Sequence, residues 1–336
     1  MQPFVDAMIA SPIGACMLAI LEQRERPNNQ PWYFDDPTSN PELVARAVEN
    51  VERRSFGALC EQAVYAAHFQ LGPWSPSAAD AAYAAYLHVK ERRPIAQAIA
   101  TRFDSELHAP IDLARQEWWL HAKGAAGSAP LFQNLDEVYE NGELSWRALR
   151  AYGNTSLEVL DSGFGEAPTP HTRWALPVIT EPRVFEIHRP EDWHALCAAY
   201  PRVTTRLQTT WSFPVTLQER LRGFNRDLLG LPHQQAATAE IDTHLSPRWS
   251  VVATDYDAVH LSWAGFICAE GHVFTKGRNT TMLRFWDREV TMWLKNCFGT
   301  PTPMSLPKQC HYHIEATTSP ARLAQDELEI TKMLGR

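Results

Sequence analysis

The residues best suited to chemistry lie in the run Asp255-Tyr256-Asp257-Ala258-Val259-His260-Leu261-Ser262-Trp263-Ala264-Gly265-Phe266, where two carboxylates precede a histidine in an apolar stretch. An imidazole exchanges protons near neutral pH, and a carboxylate bonded to one of its nitrogens sets the tautomer. His260 is therefore read as a general acid/base, with Asp255 or Asp257 as its orienting carboxylate. As a strand, the run puts Val259, Leu261 and Trp263 on one face and His260 and Ser262 on the other, so the polar pair lines something other than the main core. The plainer alternative has both aspartates bonding turn amides and His260 as a satisfied interior histidine. No G-x-S-x-G nucleophile elbow accompanies it.

A second group is His311-Tyr312-His313-Ile314-Glu315. On a strand, positions i, i+2 and i+4 share a face, so His311, His313 and Glu315 would offer two imidazoles and a carboxylate to one metal ion, the donor set of non-haem iron sites. Two histidines on a solvated edge strand explain the same residues without a metal. Trp263 and Trp286 are candidate apolar walls of a ligand pocket, Arg284 an anion contact and His188 a further ligand contact, with Arg278 nearby. Most tryptophans in this region (174, 193, 211, 249, 263, 286 and 293) are expected in the core, with a few left to wall a pocket for a planar or cationic ligand.

Two textures must position these groups. The first is helical. Ser11-Pro12 reads as an N-cap with proline at the first helical position, opening a buried apolar helix too short to span a bilayer. Asn40-Pro41 opens a helix with the stripe Leu43, Val44, Ala47, Val48 and Val51. Further helices are predicted over 56–71, from Ser75-Pro76 through Leu87, and over 94–107, the region ending in the paired indoles Trp118-Trp119. After a Gly/Ala/Ser-rich stretch, short strands are predicted at 144–147, 174–179, 184–188, 249–253, 258–268, 272–275, 281–286 and 311–316, with helices at 191–200 and 217–229. Asp287 reads as the cap of another helix over 288–296, and Glu270-Gly271 as a tight antiparallel connection. The expected fold class is α+β, with a helical bundle over 1–125, a linker over 126–139 and a mostly antiparallel α+β domain over 140–336 that carries the site.

Composition narrows the function classes. With 336 residues, a net charge of −8 and a pI near 5.9, the chain has ample core and no basic field for a nucleic-acid backbone. Six scattered cysteines without a C-x-x-C pair suit reduced thiols, so the expected compartment is the cytoplasm, with no membrane partner. A chain of this length needs no transition metal to fold. Neither the cofactor nor the oligomeric state can be read from these features.

Within 183–296, the words Val-Phe-Glu-Ile-His-Arg-Pro-Glu-Asp-Trp, Ala-Tyr-Pro, Asp-Tyr-Asp-Ala-Val-His-Leu-Ser-Trp-Ala-Gly and Trp-Asp-Arg-Glu-Val-Thr-Met-Trp-Leu resemble a group of uncharacterised proteins common in actinobacteria. That resemblance implies a lineage and no reaction. The order His188, Tyr256, Glu315 is similar to that of ADP-ribosyltransferases of the His-Tyr-Glu type, in which such residues hold NAD and stabilise an oxocarbenium-like transition state. Here Arg189-Pro190 follows His188, where that family has a glycine and a small hydroxyl residue. The leading expectation is a small-molecule enzyme using His260 in a Trp-lined pocket. The alternatives are a non-catalytic ligand- or partner-binding protein, the NAD-consuming enzyme and the metal-dependent one.

Overall fold

A computed structural model describes residues 2–25, 39–71, 78–121, 132, 135–138, 149–151, 153, 171–204, 244–277, 279–284, 286, 288–304 and 320–335. The predicted segments at 144–147, 217–229 and 311–316, and with them His311, His313 and Glu315, lie outside these residues, as do Arg278 and Asp287.

The first third is helical: α1 (Gln2–Ala10), α2 (Pro12–Gln23), α3 (Pro41–Arg53), α4 (Phe56–Tyr65) continued by a π-helical turn (Ala66–Gln70), α5 (Ala78–Leu87) and α6 (Arg93–Leu107). Local chemistry sets several starts. Ser11 caps α2 by accepting from the Gly14 amide, Asn40 caps α3 through Glu42, and Ser55 caps α4 through Ala58. The α2 helix is buried from Pro12 to Glu22 and forms the axis of the bundle. Glu22 is tolerated there because Arg92 donates to it at 2.6 Å and the Asn40 amide at 2.6 Å, which repays its desolvation. Among the described residues no single helix is long and apolar enough to cross a membrane; α1 and α2 meet at 91°.

The rest is α+β: β1 (Glu117–His121), α7 (Leu135–Val138), β2 (Leu149–Ala151), β3 (His171–Ala175), β4 (Val184–Ile187), α8 (Pro190–Ala199), β5 (Pro201–Thr204), β6 (His244–Pro247), α9 (Trp249–Asp255), β7 (Ala258–Leu261), α10 (Trp263–Ala269), β8 (Val273–Lys276), β9 (Asn279–Met282), β10 (Val290–Trp293), β11 (Thr302–Met304) and α11 (Pro320–Met333). The largest sheet has the order β2-β10-β7-β4, antiparallel except for the parallel β4–β7 pair. Beside it lie a three-stranded sheet, β1-β3-β11, and the pairs β5-β6 and β8-β9.

Three expectations are corrected. Residues 258–268 are not one strand: β7 stops at Leu261, where Ser262 turns to accept from the Gly265 amide and caps α10. Residues 249–253 belong to α9, and the helix expected over 288–296 is instead strand β10. The change of texture also comes before residue 125, because β1 already pairs with β3. On that strand Trp118 is buried.

The four-stranded sheet separates two cores. Ile187, Val259, Leu261, Val290 and Met292 face the larger one, which continues without a break into α1–α6. Ala151, Ala258 and Trp293 face the smaller, with Trp118, Trp174, Phe298 and Ile330.

Candidate functional site

Alternation on β4, β7 and β10 places Glu186, His260 and Thr291 directly opposite one another on the side of the smaller core. His260 has no exposed surface. Its Nδ1 lies 2.9 Å from Thr291 Oγ1 and 3.7 Å from Glu289 Oε1, while Nε2 lies 3.8 Å from Glu186 Oε2. Among the described residues neither Nε2 nor that Glu186 oxygen has a hydrogen-bond partner. The other Glu186 oxygen accepts from the Ile111 amide at 3.1 Å. Burial pushes the Glu186 carboxyl up to about 7, with the Ile111 bond opposing. Burial pulls His260 down to about 3, reinforced by the nearby His188 and opposed by the backbone of Ala109. His260 is thus a neutral interior group at pH 7 with no solute within reach.

The aspartates expected to orient it do other work. Asp255, at the end of α9, accepts from the Tyr200 hydroxyl at 2.7 Å. Asp257 accepts from Lys295 Nζ at 2.6 Å and from the Arg183 amide at 2.8 Å; although partial burial acts the other way, these two hold its carboxyl below the usual range. The expected pocket walls are core residues. Trp263 packs edge-on against Phe56 and Phe266, and Trp286 against Trp193. Arg284 is spent internally, donating to the Leu71 carbonyl at 2.6 Å with Glu270 at 3.6 Å. Tyr256 packs on Phe185 and Tyr200 and does not line the cleft that holds His188.

That cleft, of about 370 Å³, opens between α1 and the start of α8. Phe4 and Ala7, His108, Cys268 and the run His188-Arg189 with Asp192 wall it. Sequence reasoning found His188 but missed His108 and Asp192. It also missed Glu186 and Glu289, although an acid between Phe185 and Ile187 in a predicted strand was the available signal. His188 is held at three points. Its amide donates to Asp192 at 3.0 Å, its ring lies 6.0 Å from that of His108, and Nδ1 is 2.9 Å from Ser262 Oγ. The Ser262 hydroxyl donates to the Ile187 carbonyl at 3.1 Å and accepts from Gly265 at 3.1 Å. With that proton committed, the network assigns the ring proton of His188 to Nδ1, leaving Nε2 as a lone pair. Burial lowers the pKa of His188, with Asp192 opposing and His108 and Arg189 reinforcing, so the ring is neutral at pH 7. Cys268 is no nucleophile in this state, because burial raises its thiol well above the usual value.

A larger depression of about 640 Å³ lies beside α7 and α9. Its polar groups are already engaged, Asp136 with Ser250 and Lys295 with Asp257. Among the described residues, no group of three His, Cys, Asp or Glu side chains is arranged to hold a metal ion. No protein-family model, curated protein or solved structure matches the chain.

Proposed function

We propose that the chain is a small-molecule enzyme whose ligand enters the α1–α8 cleft, where His188, rather than His260, exchanges the proton. The observation that carries this reading is the Ser262–His188 contact at 2.9 Å on the wall of the cleft. A general base needs a neutral ring, a defined tautomer and a position at a pocket, and His188 combines all three. The Phe4, His108 and His188 rings, linked by centroid separations of 5.4 and 6.0 Å, give the cleft an aromatic wall suited to a planar ligand.

The test is to incubate the pure protein with metabolite pools, follow turnover by mass spectrometry, and repeat with His188→Gln. Loss of a positioned base should cut turnover by about a hundredfold or more. Undiminished turnover in the variant would remove His188 from the mechanism. Ligand retained by the wild-type protein, with no product across a range of cofactors, would make the chain a binding protein instead.

A further inference from the structure

The uncommitted hydrogen-bonding atoms of the α1–α8 cleft are mostly of one kind. His108 Nδ1 lies 3.0 Å from the Asp104 carbonyl oxygen and 3.3 Å from the Asp104 carboxylate. A carbonyl oxygen can only accept, so the neutral ring carries its proton on Nδ1 and keeps a lone pair on Nε2. His188 reaches the same tautomer by another route, since its Nδ1 donates to Ser262 at 2.9 Å. Among the described residues neither Nε2 has a hydrogen-bond partner. Two imidazoles whose centroids lie 6.0 Å apart on the cleft therefore both offer acceptors.

Charge points the same way. The cleft is lined by one cation, Arg189, and by two acids, Glu191 and Asp192, which leaves its wall negative. Arg189 and Asp192 engage each other, Nε to Oδ1 at 3.2 Å, and the second Asp192 oxygen accepts from the His188 amide. That leaves Glu191. It is exposed, makes no ion pair among the described residues, and sits close enough to Cys268 to join burial in raising that thiol. An anion is the competing occupant, because the first turn of a helix such as α8 offers free amides. That turn carries its own acids, however, and its arginine is tied to one of them. A bound phosphate or carboxylate would face two lone pairs and a like charge.

We infer that the cleft takes a planar cation with N–H donors at its edge, of the amidine, guanidine or protonated amino-heteroaromatic class, recognised by His108 Nε2 and His188 Nε2 and balanced in charge by Glu191. A volume of about 370 Å³ admits a ligand of one or two rings. The Phe4 ring on the same wall favours a delocalised cation over an anion, because an aromatic face carries negative potential. This ligand class rests on the reading of the cleft as the ligand site, and not on proton transfer by His188.

Benzamidine, benzamide and benzoate share one ring and differ in charge, so they separate the classes. Each is titrated into the full chain at about pH 8, where an ordinary imidazole is neutral, by calorimetry and by long-range 15N–1H correlation of the histidine rings. The free protein should show His108 and His188 as Nδ1–H tautomers. Benzamidine should bind at least about tenfold more tightly than benzoate and shift both Nε2 resonances. Glu191→Gln, a change at an exposed position, should weaken benzamidine by roughly three- to tenfold and leave benzamide unaffected. An Nε2–H tautomer on either ring, benzoate binding as tightly as benzamidine, benzamidine affinity unchanged in Glu191→Gln, or no probe bound by about 10 mM would each overturn the ligand class. The role of His188 is decided separately by turnover: activity lost in His188→Gln while benzoate is preferred over benzamidine would keep the base and reverse only the class of its substrate.

Discussion

A histidine's usefulness depends on which face of its strand it occupies and what covers that face. His260 and His188 are both near neutral-pH chemistry in sequence terms, yet burial is complete for the first and partial for the second. A third buried histidine gives a measurable consequence. His272, whose Nδ1 lies 3.1 Å from the Ala10 carbonyl, is pulled down by burial to about 4. Its folded value lies below its unfolded one, so the unfolded chain takes up the proton first. Stability is then lost as pH falls from about 6.5 towards 4. His272→Gln should flatten that slope by about one proton, sparing up to about 3 kcal/mol at pH 4, as read by urea unfolding at several pH values. Glu186 acts with the opposite sign. Its folded value is raised from 4.5 to about 7, so its contribution is full below 4.5 and disappears as pH rises through 7.

At the scale of elements, the α10–β4 contact controls the site. A Cβ on Gly265 would come within 2.2 Å of the Ile187 carbonyl oxygen, the atom that accepts from Ser262 N and Oγ. Gly265→Ala would improve helix propensity by roughly 0.5–1 kcal/mol. The backbone clash outweighs that gain, because neither partner is the end of a flexible side chain. The expected net result is a loss of about 1–3 kcal/mol in unfolding free energy. It should be accompanied by a shifted His188 ring resonance, as Ser262 moves with α10. A variant as stable as the wild-type protein would show that α10 can slide without cost.

For the whole molecule, the larger core decides how far the helical third is a separate unit. Met8, Met17 and Phe103 from the helices share that core with Val259, Trp263 and Met292, and Phe56 packs on Trp263. A fragment comprising residues 1–125 therefore leaves an apolar surface bare and strips β1 of its partner strand β3. It should show no cooperative thermal transition by circular dichroism, whereas the full chain should unfold through one in which both parts melt together. A fragment that melts sharply by itself would restore the boundary near residue 125.

Some of this was legible in the residues alone. Ser11-Pro12 and Asn40-Pro41 mark helix starts because a cap closes within two or three residues, and the stripe on α3 shows itself through its period. The α+β class followed from the change of texture along the chain. The middle of the site was not legible. Short apolar runs such as 258–268 and 249–253 fit a buried strand and a buried helix equally well, and only neighbours distant in sequence decide between them. Glu186 meets Ile111 across 75 residues, His260 meets Thr291 across 31, and His188 meets Ser262 across 74. Local chemistry specifies caps and periods; strand register specifies which acid faces which imidazole, and register exists only once the sheet has formed.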